Sequence, residues 1–166
     1  MENDSPMKYL HSYWRIDYIE TPKDAEKDGK LFLDLANSND EDALIVFRST
    51  HNFIVLNKYP YNAGHLLVVP FRAVASLKDL THEELLDLMN MIIKSQDILT
   101  QAIKPQGFNI GFNIGSAAGA GIPNHIHCHV VPRWEGDTNF MPVLSNTKVL
   151  PQSLHAMWQR LRKFTS

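Results

Sequence analysis

The stretch that decides the fold is Asn124-His-Ile-His-Cys-His-Val-Val-Pro-Arg133, in which histidines alternate with apolar residues. A period of two is typical of a β-strand, because successive side chains of a strand point to opposite faces. We therefore expect a strand over about residues 125–132, with one face carrying His125, His127 and His129 and the other carrying Ile126, Cys128 and Val130. The pattern predicts a row of imidazoles on a strand whose other face is buried.

Four more strands are predicted around this one. Residues 43–48 and 52–57 are short apolar runs separated by Ser49-Thr-His51, which is typical of a hairpin. A third run covers residues 65–70, and residues 108–114 alternate between apolar residues and Asn or Gly. Because the connections between the first strands are short, the sheet is expected to be mainly antiparallel and five-stranded.

Helical periodicity is confined to two segments. Thr81 and Glu84 form a capping box, and the residues that follow at helical spacing are Leu85, Leu88, Met89, Ile92, Gln96 and Leu99. This long helix should end near residues 104–107, and a short helix is predicted over residues 154–161. Together the elements predict an α+β fold.

Composition sets the class of protein. The chain has 166 residues, a formal charge of −2 and one cysteine, which predicts one domain without disulfides and argues against bulk nucleic-acid binding. No secretory pattern and no apolar run of ~20 residues occurs, so we expect a cytoplasmic protein without a membrane partner. Residues 1–30, with an aromatic cluster and a charged stretch, are expected to form an arm docked on a domain of residues 31–166.

The histidine row allows two kinds of chemistry. His125 and His127 could bind a metal, with His129 or His65 as the third ligand, although no further carboxylate or cysteine stands near. Alternatively, a neutral imidazole could act as a nucleophile on phosphorus. The loop over residues 115–122, rich in Gly and Ala, leads directly into the row and could hold phosphate through backbone N–H groups.

The segment His125-Ile-His-Cys-His-Val-Val131 resembles the motif that names the histidine-triad (HIT) family of nucleotide hydrolases and transferases. Residues 52–70 and 109–121 resemble the other strands and the glycine loop of that family. The segments Trp14-Arg-Ile-Asp-Tyr-Ile19 and 131–140 are similar to a bacterial branch that includes diadenosine tetraphosphate phosphorylases.

The resemblance implies roles for individual residues. His127 matches the nucleophile, His129 the residue that contacts phosphate and helps in proton transfer, and His125 the residue that orients its neighbour. His65 matches a fourth histidine near the site. The implied nucleotide- and phosphate-binding residues are Asn57, Lys58, Asn113, Gly119, Ala120, Gly121, Leu31 and Phe32. Arg133 could hold either phosphate or a surface carboxylate.

The chain departs from the family pattern in the loop. Ala120 and Gly121 stand where many members have Gln and then Ser or Thr, and the loop from Asn113 to His125 is one residue longer than in smaller members. We expect the longer loop to make room for attacking phosphate. The cysteines with which some members bind structural zinc are absent around residues 31–34.

The resemblance implies cleavage of dinucleoside polyphosphates at the α-phosphate through a nucleotidyl-His127 intermediate, with phosphate or water as acceptor. It implies no required cofactor and no protein-bound metal, with a divalent cation entering only together with the polyphosphate. A homodimer is expected. The alternatives are a non-catalytic module that binds AMP or another nucleotide, a nucleoside phosphoramidate hydrolase and a metal hydrolase.

Overall fold

The computed structural model describes residues 30–141, 144 and 149–165. Its centre is a five-stranded antiparallel sheet in the order β1-β2-β3-β5-β4. The strands are β1 (Ile45–Arg48), β2 (Asn52–Leu56), β3 (Leu66–Pro70), β4 (Gly107–Phe112) and β5 (Cys128–Arg133). The helices are α1 (Leu31–Asn37), α2 (His82–Ile103) and α3 (Leu154–Arg162). The predicted α+β fold is confirmed, whereas the predicted N-terminal arm, except Lys30, lies outside the described residues.

Helix α2 covers one face of the sheet. The predicted capping box is present, because Glu84 N–H donates to Thr81 Oγ1 and Thr81 N–H donates to the Glu84 carboxylate. The buried side of α2 includes Leu88, Met91, Ile92, Ser95 and Leu99. Leu85 and Met89, which the helical spacing placed on the same apolar side, are instead exposed. The side of α2 that packs on the sheet follows the buried residues just named and leaves these two outside it. No helix among the described residues is long and apolar enough to cross a bilayer.

Among the described residues, α1 packs on the opposite face of the sheet. A small core packs there under α1, with Phe32, Ala43, Ile45, Phe53, Val55, Leu67 and Val69 as its buried members. Helix α1 is fixed by Arg48, which donates to the carbonyl oxygens of Ala36 at 2.6 Å and Ser38 at 3.1 Å. Because Leu67 of β3 pairs with His129 of β5, the histidine row continues this second face towards β4.

Strand β5 begins at Cys128, three residues later than the predicted start near His125. The preceding backbone is held by a turn and by the loop after β3, since His125 N–H donates to Ile122 O and Ile126 N–H to Val74 O. The alternation of side chains nevertheless persists: Ile126, Cys128 and Val130 belong to the core under α2. The predicted buried face is therefore confirmed.

Candidate active site

Four histidines meet on the face of the sheet opposite α2. His129 lies on β5, His125 and His127 immediately precede that strand, and His65 precedes β3. The ring centroids of His127 and His129 are 5.0 Å apart, and those of His65 and His129 are 5.2 Å apart. His65, His125 and His127 are buried, whereas His129 is half-buried. The fold thus brings together the four histidines singled out from the sequence.

His127 presents an unprotonated nitrogen. Its Nδ1 lies 2.9 Å from the carbonyl oxygen of His125. Because a carbonyl oxygen only accepts hydrogen bonds, Nδ1 carries the proton and the lone pair is on Nε2. Burial lowers the pKa of His127 below its ordinary value, against the opposing effect of the hydrogen bond to the His125 carbonyl. The side chain is therefore neutral at pH 7, as a nucleophile must be.

The tautomer of His65 is fixed by the turn before β3. Tyr61 N–H donates to His65 Nδ1 at 3.1 Å, and Asn57 Nδ2 lies 3.3 Å from the same nitrogen. Asn57 Oδ1 accepts from Tyr59 N–H, which turns the amide group of Asn57 towards His65. Burial, reinforced by the neighbouring imidazoles of His129 and His127, lowers the pKa of His65 to about 3. His65 is therefore neutral and carries its proton on Nε2.

That proton determines the state of His129. His65 Nε2 lies 3.0 Å from His129 Nδ1, so His129 accepts there and carries its own proton on Nε2. The side-chain amide of Asn113 lies 3.5 Å from this Nε2. His129 thus presents an N–H hydrogen-bond donor beside the nucleophile, and such a donor can stabilise the charge on a departing phosphate oxygen.

His125 acts on its neighbour through the main chain. Its carbonyl orients His127, while its own Nε2 donates to Pro70 O at 2.8 Å. Burial lowers the pKa of His125, opposed by the bond to Pro70. The orienting role expected of His125 is therefore supported by its carbonyl oxygen and not by its imidazole.

The predicted nucleotide-binding residues are distributed unevenly around the histidines. Phe32 on α1 contacts both His125 and His127, with ring centroids 5.2 and 5.0 Å apart, whereas Leu31 is 45% exposed. Lys58 is exposed beside Asn57. The structure thus places Phe32, Asn57 and Asn113 in contact with the histidines and leaves Leu31 and Lys58 on the surface.

The glycine loop uses part of its own hydrogen-bonding capacity. Gly119 N–H donates to Ser116 O at 2.9 Å, and Ala120 N–H donates to Gly115 O at 3.3 Å. No such bond engages the N–H of Gly121 among the described residues. In this loop conformation the N–H groups of Gly119 and Ala120 are thus engaged within the loop. Phosphate binding by Gly119, Ala120 and Gly121 stays a prediction.

Tyr61 is a site residue that the sequence analysis missed. Its ring stacks on His129, with centroids 5.6 Å apart and planes 15° apart, and lies 4.6 Å from His65. The sequence feature that could have indicated Tyr61 is its place in the turn just before Gly64 and His65. Gly64 has φ +80°, and a Cβ there would lie 2.7 Å from Ile103 Cδ1, so the turn requires glycine.

A metal site is the remaining alternative from the sequence. Among the described residues, no group of three or more His, Cys, Asp or Glu side chains is arranged to hold a metal ion. The absence of a protein-bound metal stays a prediction.

Comparison with known proteins agrees with this arrangement. The family model described as HIT domain matches residues 38–136, which include all four histidines. The chain belongs to the HIT family. A HIT relative named AP-4-A phosphorylase, from Mycobacterium tuberculosis, is 38% identical over 154 residues, covering 89% of this chain and 79% of the relative.

Two further HIT proteins extend the comparison. The asymmetrical bis(5'-nucleosyl)-tetraphosphatase of Schizosaccharomyces pombe is 38% identical over 93 residues, covering 56% of this chain and 50% of the relative. A solved structure of a hypothetical histidine triad nucleotide-binding protein from Sulfolobus tokodaii superposes with a TM-score of 0.62 at 25% identity, covering 74% of this chain and 83% of that protein.

Proposed function

We propose that this HIT-family protein is an enzyme that cleaves dinucleoside polyphosphates such as diadenosine tetraphosphate. The observation that carries the proposal is the geometry of His127, a buried neutral imidazole with its proton held on Nδ1 and its lone pair on Nε2. A neutral imidazole of this kind is prepared for attack on phosphorus. The names of the Mycobacterium tuberculosis and Schizosaccharomyces pombe relatives support this substrate class.

The reaction proceeds in two displacements. His127 Nε2 attacks the α-phosphorus, a P–N bond forms, and the P–O bond to the remaining phosphates breaks. His129 Nε2–H donates a hydrogen bond to the departing oxygen, which leaves as the ionised polyphosphate. In the second step, water or inorganic phosphate attacks the same phosphorus, the P–N bond breaks, the electron pair returns to His127 Nε2, and the proton that the acceptor loses passes to solvent.

The position of the nucleoside follows from the sheet. Phe32 and Asn57 lie on the β1–β2–β3 side of β5, next to the histidines, and would bind the transferred nucleoside through its base and ribose. Gly121 N–H and Asn113 would contact the non-bridging oxygens, which carry charge in both steps. No cofactor is needed; a divalent cation would arrive with the polyphosphate.

Product analysis tests the proposal. Diadenosine tetraphosphate is incubated with the enzyme, with and without inorganic phosphate. ADP plus ATP, formed only with phosphate, identifies a phosphorylase, whereas AMP plus ATP in both reactions identifies a hydrolase. If the protein binds AMP but neither reaction turns over, it is a non-catalytic nucleotide-binding module. If it cleaves only adenosine 5'-phosphoramidate, it is a phosphoramidate hydrolase.

The quaternary state belongs to the same proposal. Strand β4 lies at an edge of the sheet, Ile110 on it is 42% exposed, and Ile114, two residues after its end, is 49% exposed. These features support a homodimer that pairs through β4, and an Ile110→Glu variant should then be monomeric in sedimentation velocity. A cytoplasmic location and the absence of a nucleic-acid partner stay predictions from the sequence.

A further inference from the structure

A cleft continues from the histidine row on its β4 side. It has a volume of about 430 Å³ and begins at His129 and Asn113. Its floor consists of Asn109 and Gly111 of β4 and Val131 of β5, and its far end is closed by Arg133, Asp137 and Thr138. The reaction as described above uses His129 and Asn113 but none of the residues that line the cleft beyond them.

Arg133 is held in the cleft by a carboxylate. Its Nε lies 2.6 Å and its Nη2 2.9 Å from the two oxygens of Asp137. Asp137 also accepts from Asn62 Nδ2 at 2.7 Å and from Trp134 N–H at 3.2 Å. The carboxylate is 9% exposed and the arginine side chain 44%. The guanidinium is thus rigidly oriented while one edge of it stays accessible.

The orientation directs Arg133 back towards the reacting groups. Its Nη1 donates to Asn109 Oδ1 at 2.6 Å, and Asn109 pairs with Val131, one pleat before the Gly111–His129 pair. One pleat is about 7 Å along the strand. Of the five N–H groups of the guanidinium, three bind Asp137 and Asn109, and the remaining two, one on each Nη, have no partner among the described residues.

The location of the cleft suggests its ligand. The proposed nucleoside site lies on the β2–β3 side of His129. The cleft lies over β4 and β5 and is also lined by Tyr61 and Asn62 of the turn between β2 and β3. A dinucleoside polyphosphate with its α-phosphate at His127 therefore extends its remaining phosphates over β4 and β5. An arginine with two available N–H groups matches a phosphate group in charge and geometry.

We propose that Arg133 binds the phosphates of the leaving nucleotide beyond the scissile bond, so that this cleft selects substrates with a longer phosphate chain. The proposal rests on the proposed function. Asp137 is a positioning residue, since it fixes the guanidinium without reaching the substrate through its own carboxylate.

The test compares Arg133→Met with Arg72→Met. Arg72 forms an equivalent ion pair with Glu84, at 2.8 and 2.6 Å, with 49% of its side chain exposed and no contact with the histidines. For diadenosine tetraphosphate, Arg133→Met should lower kcat/KM roughly ten- to a hundredfold, as expected for a lost hydrogen bond between charged groups. Adenosine 5'-phosphoramidate, whose leaving group has no phosphate, should be unaffected, and Arg72→Met should change neither substrate.

Binding measurements separate this proposal from the proposed function. By calorimetry, Arg133→Met should weaken ATP binding by about tenfold or more and leave AMP binding unchanged, whether or not the protein turns over. Equal losses for ATP and AMP, or no loss for either, would overturn the assignment. A rise in KM for inorganic phosphate, with the KM for diadenosine tetraphosphate unchanged, would also overturn it and assign the cleft to the acceptor.

Two further variants guard against a folding artefact. Asp137→Asn removes the ion pair but keeps the guanidinium, so it should lower kcat/KM for diadenosine tetraphosphate less than Arg133→Met does. Arg133→Lys, which keeps the charge, should recover part of the loss. If Asp137→Asn and Arg133→Met are equally impaired and melt at equally reduced temperatures, the ion pair is structural and the proposal is wrong.

Discussion

His65 Nε2 lies 3.0 Å from His129 Nδ1, and through this contact the tautomer of His65, in the turn before β3, determines the tautomer of His129 on β5. Tyr61 N–H can only donate, so His65 Nδ1 accepts and His65 carries its proton on Nε2. His129 therefore accepts at Nδ1 and carries its own proton on Nε2. His127 has the opposite tautomer because its Nδ1 faces a carbonyl oxygen. Neighbouring imidazoles thus present a donor and a lone pair to the same phosphate.

The tautomers can be observed directly. At pH 7, long-range proton–nitrogen NMR of ¹⁵N-histidine-labelled protein should show His127 protonated on Nδ1, and His65 and His129 protonated on Nε2. The exposed His82 and His155 serve as references for the spectrum. A proton found on Nε2 of His127 would contradict the assignment of this residue as the nucleophile.

Replacement of the nucleophile should separate activity from folding. His127→Asn should reduce kcat for diadenosine tetraphosphate by at least about a thousandfold, since an asparagine amide cannot form the nucleotidyl intermediate assigned to His127. The far-ultraviolet circular dichroism should remain that of the wild type. His155→Asn, on the exposed side of α3, is the matched control and should keep full activity. Residual turnover within about tenfold of wild type would exclude the intermediate.

Buried histidines make stability dependent on acid. The pKa of His65 is lowered from 6.5 to about 3 in the folded protein, so below pH 6.5 the unfolded chain binds a proton that the folded protein does not. This contribution to stability is complete above pH 6.5 and is lost progressively as the pH falls towards 3. The melting temperature of the wild type should therefore fall more steeply than that of His65→Asn between pH 7 and pH 5. Parallel curves for the two proteins would contradict the assigned pKa of His65.

The turn that positions His65 depends on Gly64. Gly64→Ala places a Cβ 2.7 Å from Ile103 Cδ1 at φ +80°, and we expect a loss of about 1 to 3 kcal/mol in the free energy of unfolding. Gly107→Ala is the control, because a Cβ there meets no atom within 4 Å, and its effect should stay within about 0.5 kcal/mol. Urea denaturation measures both variants. An equally small change in both would show that the turn adapts to a side chain.

Periodicity predicted the sheet and the histidine row because both depend on local alternation. It failed at the start of β5, where the faces alternate as in a strand but His125 N–H bonds within a turn and Ile126 N–H bonds to Val74. Helix α1 was not predicted because seven residues carry too little local signal. It is stabilised by tertiary contacts, such as those of Arg48 with Ala36 and Ser38.

The candidate site was predictable to the extent that it follows one short motif. The four histidines could be named from the sequence, but the contact between His65 and His129 depends on the pairing of β3 with β5. Tyr61 was missed because its ring contacts and its N–H bond arise only from that turn. From the sequence, Arg133 could have either a carboxylate or a phosphate as its partner. In the structure it binds the carboxylate of Asp137 and still has N–H groups that could bind a phosphate.

The pairing of β3 with β5 joins segments separated by residues 71–127 of the chain, with all of α2 in between. Closing so long a segment is slow compared with forming local structure, because the chain loses conformational entropy before the contacts between β3 and β5 can stabilise it. The hairpin of β1 and β2 and helix α2 can form before any two of the site's strands meet. During refolding, recovery of turnover should therefore lag behind recovery of the helical signal. Chains truncated before residue 127 lack both the nucleophile and β5, so they should have no activity.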